Sequence, residues 1–368
     1  MKRYLLATGI LALSAGVAAA QGVTISGDAR MGLAYDTQPQ LEGSNVSKWQ
    51  MTSRARVEFT LSGQTDTGLT FGASFRVDNA SEAAGNTNMT DGEVFISGAF
   101  GTLTMGNPDS AALSRVGDLA FTSLTDLGDP YEMVYISRQQ GDSFYEYINL
   151  ADPDDTIDIG YPTAVRYDYA IEGFTVSVSL DQFRKFESDE LALRDLIYID
   201  SGFWFDSGTV RARGWSVGAS YEYGPVTVSA GYERLDLIPS DDYRRFRATH
   251  AIVGAEATFE GVTVKGIYGR AGGNLGNILK DTRQFRRDQY GASVEANFDE
   301  VTVSLFGNRD FFGSTKAGIG ASYDLGGGAQ IVGGIARERT YDVQAVLEET
   351  DTSRTRRTRA DFGVKMSF

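Results

Sequence analysis

Residues 214–233 read GWSVGASYEYGPVTVSAGYE, and this stretch decides the fold. Apolar and polar residues alternate on both sides of Gly224 and Pro225. Successive side chains of an extended strand point to opposite faces, so a period of two predicts two β-strands, each with one apolar and one polar face. The glycine and proline between them predict a tight hairpin turn.

The same alternation recurs along most of the chain and predicts sixteen strands. They are expected at 22–36, 49–62, 69–79, 91–99, 101–107, 163–172, 174–183, 213–223, 225–235, 248–259, 261–271, 288–298, 300–309, 316–325, 329–340 and 358–368. Short joints at one end and long charged connections at the other are typical of outer-membrane barrels. An even strand number closes the sheet without a free edge, which is necessary because lipid cannot hydrogen-bond to unpaired backbone groups. We therefore predict an all-β fold, a 16-stranded antiparallel transmembrane β-barrel.

The composition excludes several classes of protein. The 368 residues include no cysteine and one histidine, so disulfide frameworks, thiol catalysis and two-histidine metal sites are excluded. Lysine and arginine number 34 against 49 aspartates and glutamates, and the net charge of −15 argues against nucleic acid as a partner. The mean hydropathy of −0.23 is compatible with a membrane barrel, because alternation conceals the apolar face from an average.

The N-terminus has the pattern of an export signal. Lys2 and Arg3 precede an apolar stretch at 5–17 that ends in three alanines. A charged region, an apolar region and small residues at the cleavage site define a secretory signal peptide. We predict a signal peptide over 1–20 and a mature outer-membrane β-barrel over 21–368.

Aromatic residues concentrate near the predicted strand ends. Those at strand ends are Tyr35, Trp49, Phe100, Tyr161, Trp215, Tyr223, Phe259, Phe298, Tyr323 and Phe368. Aromatic girdles at the two membrane interfaces are typical of transmembrane barrels, whereas a soluble sandwich would place its aromatics at strand centres.

Six stretches resemble the general porins of Gram-negative bacteria, most closely the alphaproteobacterial branch. They are SGDARMGLAYD (26–36), SRARVEFTLSG (53–63), GLTFGASFR (68–76), VFISGAFGTLTMG (94–106), ASYDLGGGAQIVGGIA (321–336) and FGVKMSF (362–368). The middle of the chain shares mainly the pattern, and 184–213 and 340–358 do not align. The resemblance implies a homotrimer with an inward-folded third loop that passes small hydrophilic solutes and ions by passive diffusion.

One connection is too long for an ordinary loop. Residues 107–162 carry eleven acidic residues against Arg115 and Arg138. Structureless loops beyond ~12–15 residues are uncommon in compact domains and are usually functional. We expect this segment, the third loop, to fold into the lumen as a constriction loop.

The first three strands carry a row of basic residues on the face opposite their apolar side chains. We define the arginine wall as Arg30, Arg54, Arg56 and Arg76. Facing lipid, each would cost ~2–4 kcal/mol at the bilayer midplane, so they are expected to face the lumen. The alternative is an ordinary water-filled wall of ion pairs, since Asp28, Glu58 and Asp78 lie on the same face.

The third loop supplies the opposite charge. The acidic residues proposed to face the arginine wall are Asp118, Asp126, Asp129 and Glu132. Together the two sets predict a narrow pore constriction with modest selectivity, for cations given the acidic excess.

No cofactor is required by this interpretation, although calcium is a candidate ligand. Asp152, Asp154 and Asp155 supply the carboxylate oxygens that Ca²⁺ prefers, but Pro153 interrupts the spacing, and a solvated acidic loop is the alternative.

Arginines near the long-loop ends of the strands are candidates for contact with lipopolysaccharide phosphates, or for lining the vestibule. They are Arg211, Arg213, Arg244, Arg245, Arg247, Arg283, Arg286, Arg287, Arg354, Arg356 and Arg357.

Two other functions compete with a diffusion channel. A substrate-specific outer-membrane channel would line its lumen with aromatic residues. The lumen-facing strand positions carry few of them, but the third loop offers Tyr131, Tyr135, Phe144, Tyr145 and Tyr147, which keeps this alternative open. An enzyme would need a catalytic cluster. The residues 214–218 match the G-x-S-x-G elbow of hydrolases, but Ser216 lies inside an alternating strand rather than at a strand-to-helix turn. We therefore predict no enzymatic activity.

Overall fold

The computed structural model describes residues 22–38, 47–79, 88–89, 92–137, 164–181, 184–188, 208–239, 245–343, 346 and 352–368. The predicted signal peptide at 1–20 lies outside these residues.

The described residues form one antiparallel sheet of sixteen strands, two of which are interrupted. The strands are β1 (Gly22–Asp36), β2 (Trp49–Gln64), β3 (Thr70–Asn79), β4 (Asn88–Met89 and Glu93–Gly98), β5 (Gly101–Gly106), β6 (Ala164–Ile171), β7 (Phe174–Asp181 and Arg184–Ser188), β8 (Gly208–Tyr223), β9 (Val226–Pro239), β10 (Phe246–Phe259), β11 (Val262–Gly272), β12 (Asp288–Phe298), β13 (Val301–Arg309), β14 (Thr315–Gly326), β15 (Ala329–Tyr341) and β16 (Arg354–Ser367). Each strand pairs with its neighbours in sequence, and β16 pairs with β1 from Asp28↔Ser367 to Asp36↔Arg359. The sheet is therefore closed, as predicted.

Several strands extend further at the long-loop end than the sequence predicts. β8 begins at Gly208 rather than 213, β9 continues to Pro239 rather than 235, and β16 begins at Arg354 rather than 358. On β9 and β16 the backbone ladder continues while charged residues such as Asp236 and Arg356 take outward positions, so hydropathy alternation ends before the pairing does.

The outer face of the barrel is apolar. On β2, Val57 and Leu61 are exposed, whereas Thr52 on the opposite face is buried. Aromatic side chains lie exposed at strand ends, with Tyr223 at 74% and Phe368 at 80%. This arrangement matches the apolar band and aromatic girdles of a transmembrane barrel.

Tight turns connect the strands at the short-loop end. Glu172 and Gly173 have φ of 48° and 79°, and Glu260 and Gly261 have φ of 47° and 82°. Two consecutive positive φ values define the turn whose twist matches the flanking strands of a hairpin.

Short helices lie outside the strands. Helix α1 (Ala111–Val116) and a 3₁₀ turn (Asp126–Gly128) belong to the third loop, and helix α2 (Gly273–Asp281) connects β11 to β12. Among the described residues, no helix has the length and apolar character needed to cross a membrane.

Apolar side chains pack inside the barrel in two clusters. One lies between the third loop and the inner wall and includes Leu119, Ile252 and Phe306. The other joins the return of the third loop to α2 and the long-loop ends of the strands, through residues such as Ile136 and Leu275. Both clusters attach the loop to one side of the barrel.

Candidate functional site

The first part of the third loop lies on the inner wall at β7 and β8. Ser110 caps α1, its Oγ accepting from the backbone N–H of Leu113 at 3.2 Å. Two backbone N–H groups at the start of α1 have no acceptor within the helix and bond to the inner wall instead. The N–H of Ala111 donates to Ser179 Oγ at 3.0 Å, and the N–H of Ala112 donates to Ser216 Oγ at 2.8 Å. Small hydroxyl side chains on the inward face therefore complete the hydrogen bonding of the helix. Ser216 serves here as an acceptor inside β8, and no strand-to-helix elbow surrounds it.

The middle of the loop continues across the following strands. The N–H of Ala120 donates to Ser293 Oγ at 2.9 Å. Further along, Thr125 donates to Asp361 Oδ2 on β16, from its backbone N–H at 2.6 Å and from its hydroxyl at 2.8 Å. The segment thus follows the inner wall from β7 to β16.

The loop then returns along the same wall. Gln289 on β12 holds Val134 from both sides, since its Oε1 accepts from the Val134 N–H at 3.0 Å and its Nε2 donates to the Val134 carbonyl at 2.7 Å. On β13, Asn308 Nδ2 donates to the Pro130 carbonyl at 2.9 Å. Tyr135 OH donates to the Gly117 carbonyl at 2.7 Å, and burial raises the pKa of this hydroxyl well above its usual range, so it stays protonated.

A fully buried carboxylate joins the outgoing and returning parts of the loop. Glu233 on β9 accepts from Ser110 Oγ and Ile136 N–H, both at 3.0 Å, and from Ser137 Oγ. His250, the one histidine of the chain, lies at 3.0 Å from Glu233 through Nδ1. We refer to these five residues as the Glu233 cluster.

The histidine is held in one tautomer by its second neighbour. Gln289 Nε2, which donates to the Val134 carbonyl, also lies 3.0 Å from His250 Nε2. This pattern is satisfied when Nε2 of the imidazole accepts and Nδ1 carries the proton that is donated to Glu233. Both ring nitrogens of His250 therefore have a partner in the inner wall of the barrel.

Glycines make room for the loop on the inward face. The glycine track consists of Gly218, Gly231, Gly254, Gly291, Gly320, Gly334 and Gly363. A Cβ at Gly334 would lie 2.9 Å from Ser123 Cβ, and a Cβ at Gly320 would meet the Thr122 carbonyl oxygen. The loop backbone therefore lies closer to the sheet than it could if these positions carried a larger side chain.

The tip of the loop has an unusual backbone. Asp126, Leu127, Gly128 and Asp129 have φ of 62°, 53°, 70° and 54°. Three of the four are not glycine, and positive φ is uncommon for such residues, above all for leucine. Arg359 on β16 donates through Nη1 to the Leu127 carbonyl and, at 3.4 Å, to the Gly128 carbonyl.

The structure brings Arg30 of the arginine wall to this tip. Arg30 Nη1 donates to the Leu124 carbonyl at 3.2 Å and lies 3.9 Å from Asp126 Oδ2. Arg54, its cross-strand neighbour, is instead paired with Asp28 at 3.1 Å. In the register, Arg56 faces Asp28 and Arg76 faces Glu58. All four arginines lie on the inward face, interleaved with carboxylates.

The acidic residues of the loop have unequal roles. Asp118 Oδ1 accepts from the Met133 N–H at 2.8 Å, which ties the two arms of the loop together. Asp129 accepts from Tyr131 OH at 3.3 Å, and Glu132 is partly buried in the returning arm. Asp126 forms an ion pair with Arg30 of the arginine wall.

Sequence reasoning misses the extension of the basic surface onto β16. Arg357 Nη2 pairs with Asp36 Oδ2 at 2.6 Å, and Arg359 Nη1 pairs with Glu338 Oε1 at 3.3 Å. Asp361 and Glu338 are buried on the same inward face. The signal was present in the parity of the strand, since 357, 359 and 361 share one face.

Other sequence predictions fall outside the described residues. The calcium candidates Asp152, Asp154 and Asp155 lie there, as do the loop aromatics at 144–147. Tyr135 is fully buried in the loop packing and does not line the lumen.

The fold and the site define a class of protein. A closed barrel with an apolar outer face, aromatic strand ends and a polar inner wall narrowed by a loop is the architecture of a water-filled transmembrane channel.

Known proteins of this architecture match the chain over nearly its whole length. Residues 7–342 match the Gram-negative porin family. A porin of Rhodobacter capsulatus is 31% identical over 360 residues, covering 94% of this chain and 100% of the relative. A solved porin structure refined at 1.8 Å matches with a TM-score of 0.61 and 29% identity, over 94% of this chain and 100% of that one. A triple mutant of Rhodopseudomonas blastica porin matches with a TM-score of 0.59 over the same shares, and its 18% identity supports the fold alone.

The chain belongs to the Gram-negative porin family. It is a protein of the bacterial outer membrane that forms a channel for the diffusion of small solutes, rather than an enzyme.

Proposed function

We propose that the channel is size-limited and weakly cation-selective, with its constriction between the acidic side of the third loop and the arginine wall. The contact of Arg30 with Leu124 and Asp126 supports this proposal, because it joins the loop tip to the wall beside the remaining lumen. The pore constriction is assigned to the arginine wall together with Asp118, Asp126, Asp129 and Glu132.

The expected selectivity is modest for an electrostatic reason. Unit charges ~10 Å apart interact by ~0.4 kcal/mol in water and by ~1.7 kcal/mol at an effective dielectric constant of 20. Energies of this size bias permeation by a few-fold to roughly tenfold, and pairing of Arg54 with Asp28 reduces the field further.

Reversal potentials of single channels in a salt gradient test the proposal. The double variant Asp126→Asn and Asp129→Asn should lose part of the cation preference, and asparagine keeps the left-handed backbone accessible. The double variant Arg54→Gln and Arg56→Gln should increase both cation preference and conductance. Arg270→Gln is the matched control, since Arg270 is exposed and bonds to Asp288 rather than to the loop.

Two results would contradict this proposal. Firm anion preference of the unmodified protein would exclude cation selectivity. Unchanged conductance after removal of Arg54 and Arg56 would exclude their assignment to the constriction.

The assembly and ligands of the channel are also part of the proposal. We infer a homotrimer associated with lipopolysaccharide, without catalytic activity, as the resemblance to general porins supports. Calcium bound by Asp152, Asp154 and Asp155 would raise the melting temperature relative to chelator-treated protein, and an unchanged melting temperature would exclude a structural site. Liposome swelling with sugars of equal size would reveal a substrate-specific channel by a sharp preference among them.

A further inference from the structure

Four arginines lie on the outward face of neighbouring strands, near their long-loop ends. We define the outer arginine row as Arg309, Arg337, Arg339 and Arg356. Their orientation follows from strand parity: Glu338 is buried on the inward face between Arg337 and Arg339, and Leu305, which shares a face with Arg309, is exposed to the outside.

The register places these side chains side by side. Arg309 pairs with Thr315, Thr315 with Arg339, and Arg339 with Arg356. Arg337 lies two residues from Arg339 on the same face of β15. Arginines directly opposite one another on adjacent strands repel, so the Arg339 and Arg356 pair is unfavourable unless an anion lies between them.

No carboxylate of the described residues neutralises the row. Arg337, Arg339 and Arg356 form no ion pair with the part of the chain that the structure describes. The Nε of Arg309 is buried without a hydrogen-bond partner there. By contrast, Arg270 on the outward face pairs with Asp288 at 3.0 Å.

The height of the row corresponds to the edge of the apolar band. Met366 and Arg356 share the outward face of β16 and are ten residues apart. Ten residues span ~33 Å along a strand, which is ~25 Å along the membrane normal at a tilt of ~40°. The apolar band of such barrels is ~25 Å tall, so Arg356 lies at the headgroup level on the side of the long loops, the outer surface.

We infer that the outer arginine row binds the phosphate groups of a phosphorylated glycolipid in the outer leaflet. Guanidinium groups bind phosphate oxygens in bidentate fashion, and an anion between Arg339 and Arg356 would remove their repulsion. Another arginine lies next to the row on β16, since Arg354 stacks on the Tyr341 ring with its Cζ 4.7 Å from the ring centroid. The inference rests on the proposed association with lipopolysaccharide and assigns it to particular residues.

Binding of lipid A to the full-length protein in nanodiscs tests the inference. The probe is lipid A with both phosphates, compared with the same lipid after dephosphorylation. The triple variant Arg337→Gln, Arg339→Gln and Arg356→Gln should bind phosphorylated lipid A about a hundredfold more weakly, since each basic residue near an anionic surface contributes a factor of about five. Dephosphorylation should weaken binding to the unmodified protein by a similar factor.

Two further variants separate a site from general attraction. Arg270→Gln removes one exposed outward arginine that already has a partner, and it should leave binding unchanged. Replacing the same three arginines by lysine should restore part of the affinity, because charge is kept and bidentate geometry is lost.

The binding measurements can overturn the inference in two ways. Undiminished lipid A binding by the triple variant, or equal binding of dephosphorylated lipid, would overturn the inference. Loss of oligomer contacts in the triple variant with full lipid binding would overturn it in favour of an interface between copies of the chain. Conductance measured in planar bilayers distinguishes failure of this inference from failure of the proposed function. Absence of channels in the unmodified protein would contradict the proposed function. An open channel in the triple variant together with unaltered lipid A binding would contradict the lipid site alone.

Discussion

At the scale of single residues, the third loop depends on one buried carboxylate. Glu233 accepts hydrogen bonds from both arms of the loop, through Ser110 on one side and Ile136 and Ser137 on the other. A buried charge is tolerated when each of its oxygens has donors, and here His250 supplies a further one. The loop is thus attached to β9 through a side chain that also keeps the donors of the loop satisfied.

Replacing this carboxylate should release the loop. We expect Glu233→Ala to lower the stability by about 3 kcal/mol, because a removed acceptor leaves several buried donors unpaired. The melting temperature should fall, and single-channel recordings should show larger and more variable conductance. Glu300→Gln, in an exposed turn, is the control and should behave as the unmodified protein does. A steady single-channel current of unchanged conductance in Glu233→Ala would show that the Glu233 cluster does not hold the loop.

At the scale of elements, the fit between loop and sheet is a matter of volume. Strands β8 to β16 present glycines and serines toward the lumen where the loop lies, so the backbone of the loop contacts the sheet directly. Strands β1 to β3 present arginines and carboxylates instead. The loop therefore fills one side of the barrel, and the water column is left on the charged side.

A side chain added to the glycine track should displace the loop. Gly320→Leu would place its Cβ against the Thr122 carbonyl, and overpacking of this kind costs roughly 1–3 kcal/mol. We expect a lower melting temperature and altered conductance. Gly307→Leu is the matched control, because a Cβ there meets no atom within 4 Å. Equal melting temperatures and conductances of the two variants would contradict the close contact between the loop backbone and Gly320.

At the scale of the whole molecule, the barrel depends on the pairing of its two ends. β16 forms hydrogen-bonded ladders with both β15 and β1, and Phe362 faces outward at 63% exposure. In a bilayer, an unpaired strand edge costs several kcal/mol for each unsatisfied backbone group.

Removal of residues 362–368 should therefore prevent closure. The truncated chain would leave the edge of β1 that faces β16 unpaired from Asp28 to Leu33, and we expect no folded barrel. Electrophoresis with and without heating reports this, because folded barrels migrate differently from unfolded chains. A heat-sensitive band for the truncated chain would contradict the requirement for closure by β16.

The field of the whole channel should also depend on salt. The proposed selectivity arises from charges that face water, and the screening length falls from ~10 Å at 0.1 M to ~3 Å at 1 M. We expect the reversal potential in a fixed tenfold gradient to shrink as mean ionic strength rises. A potential that is independent of salt would point to selectivity from direct ion coordination.

The sequence by itself determined the barrel. A period of two persists in the strands because one face contacts lipid and the other faces the lumen, so strand number, orientation and the inward direction of Arg30 and Arg54 can be read locally. The long third loop and its acidic excess were visible for the same reason, since length and charge are local properties.

Only the tertiary structure decided where the loop lies and what holds it. Glu233 and His250 are 17 residues apart in sequence, but Glu233 meets Ser110 at a separation of 123 residues. No local period marks such contacts, and a lumen glycine resembles any other small strand residue. Likewise, the alternation predicts a last strand that begins at 358, and only the pairing of β16 with β15 shows that Arg356 and Arg357 belong to the sheet, where parity then places them on opposite faces.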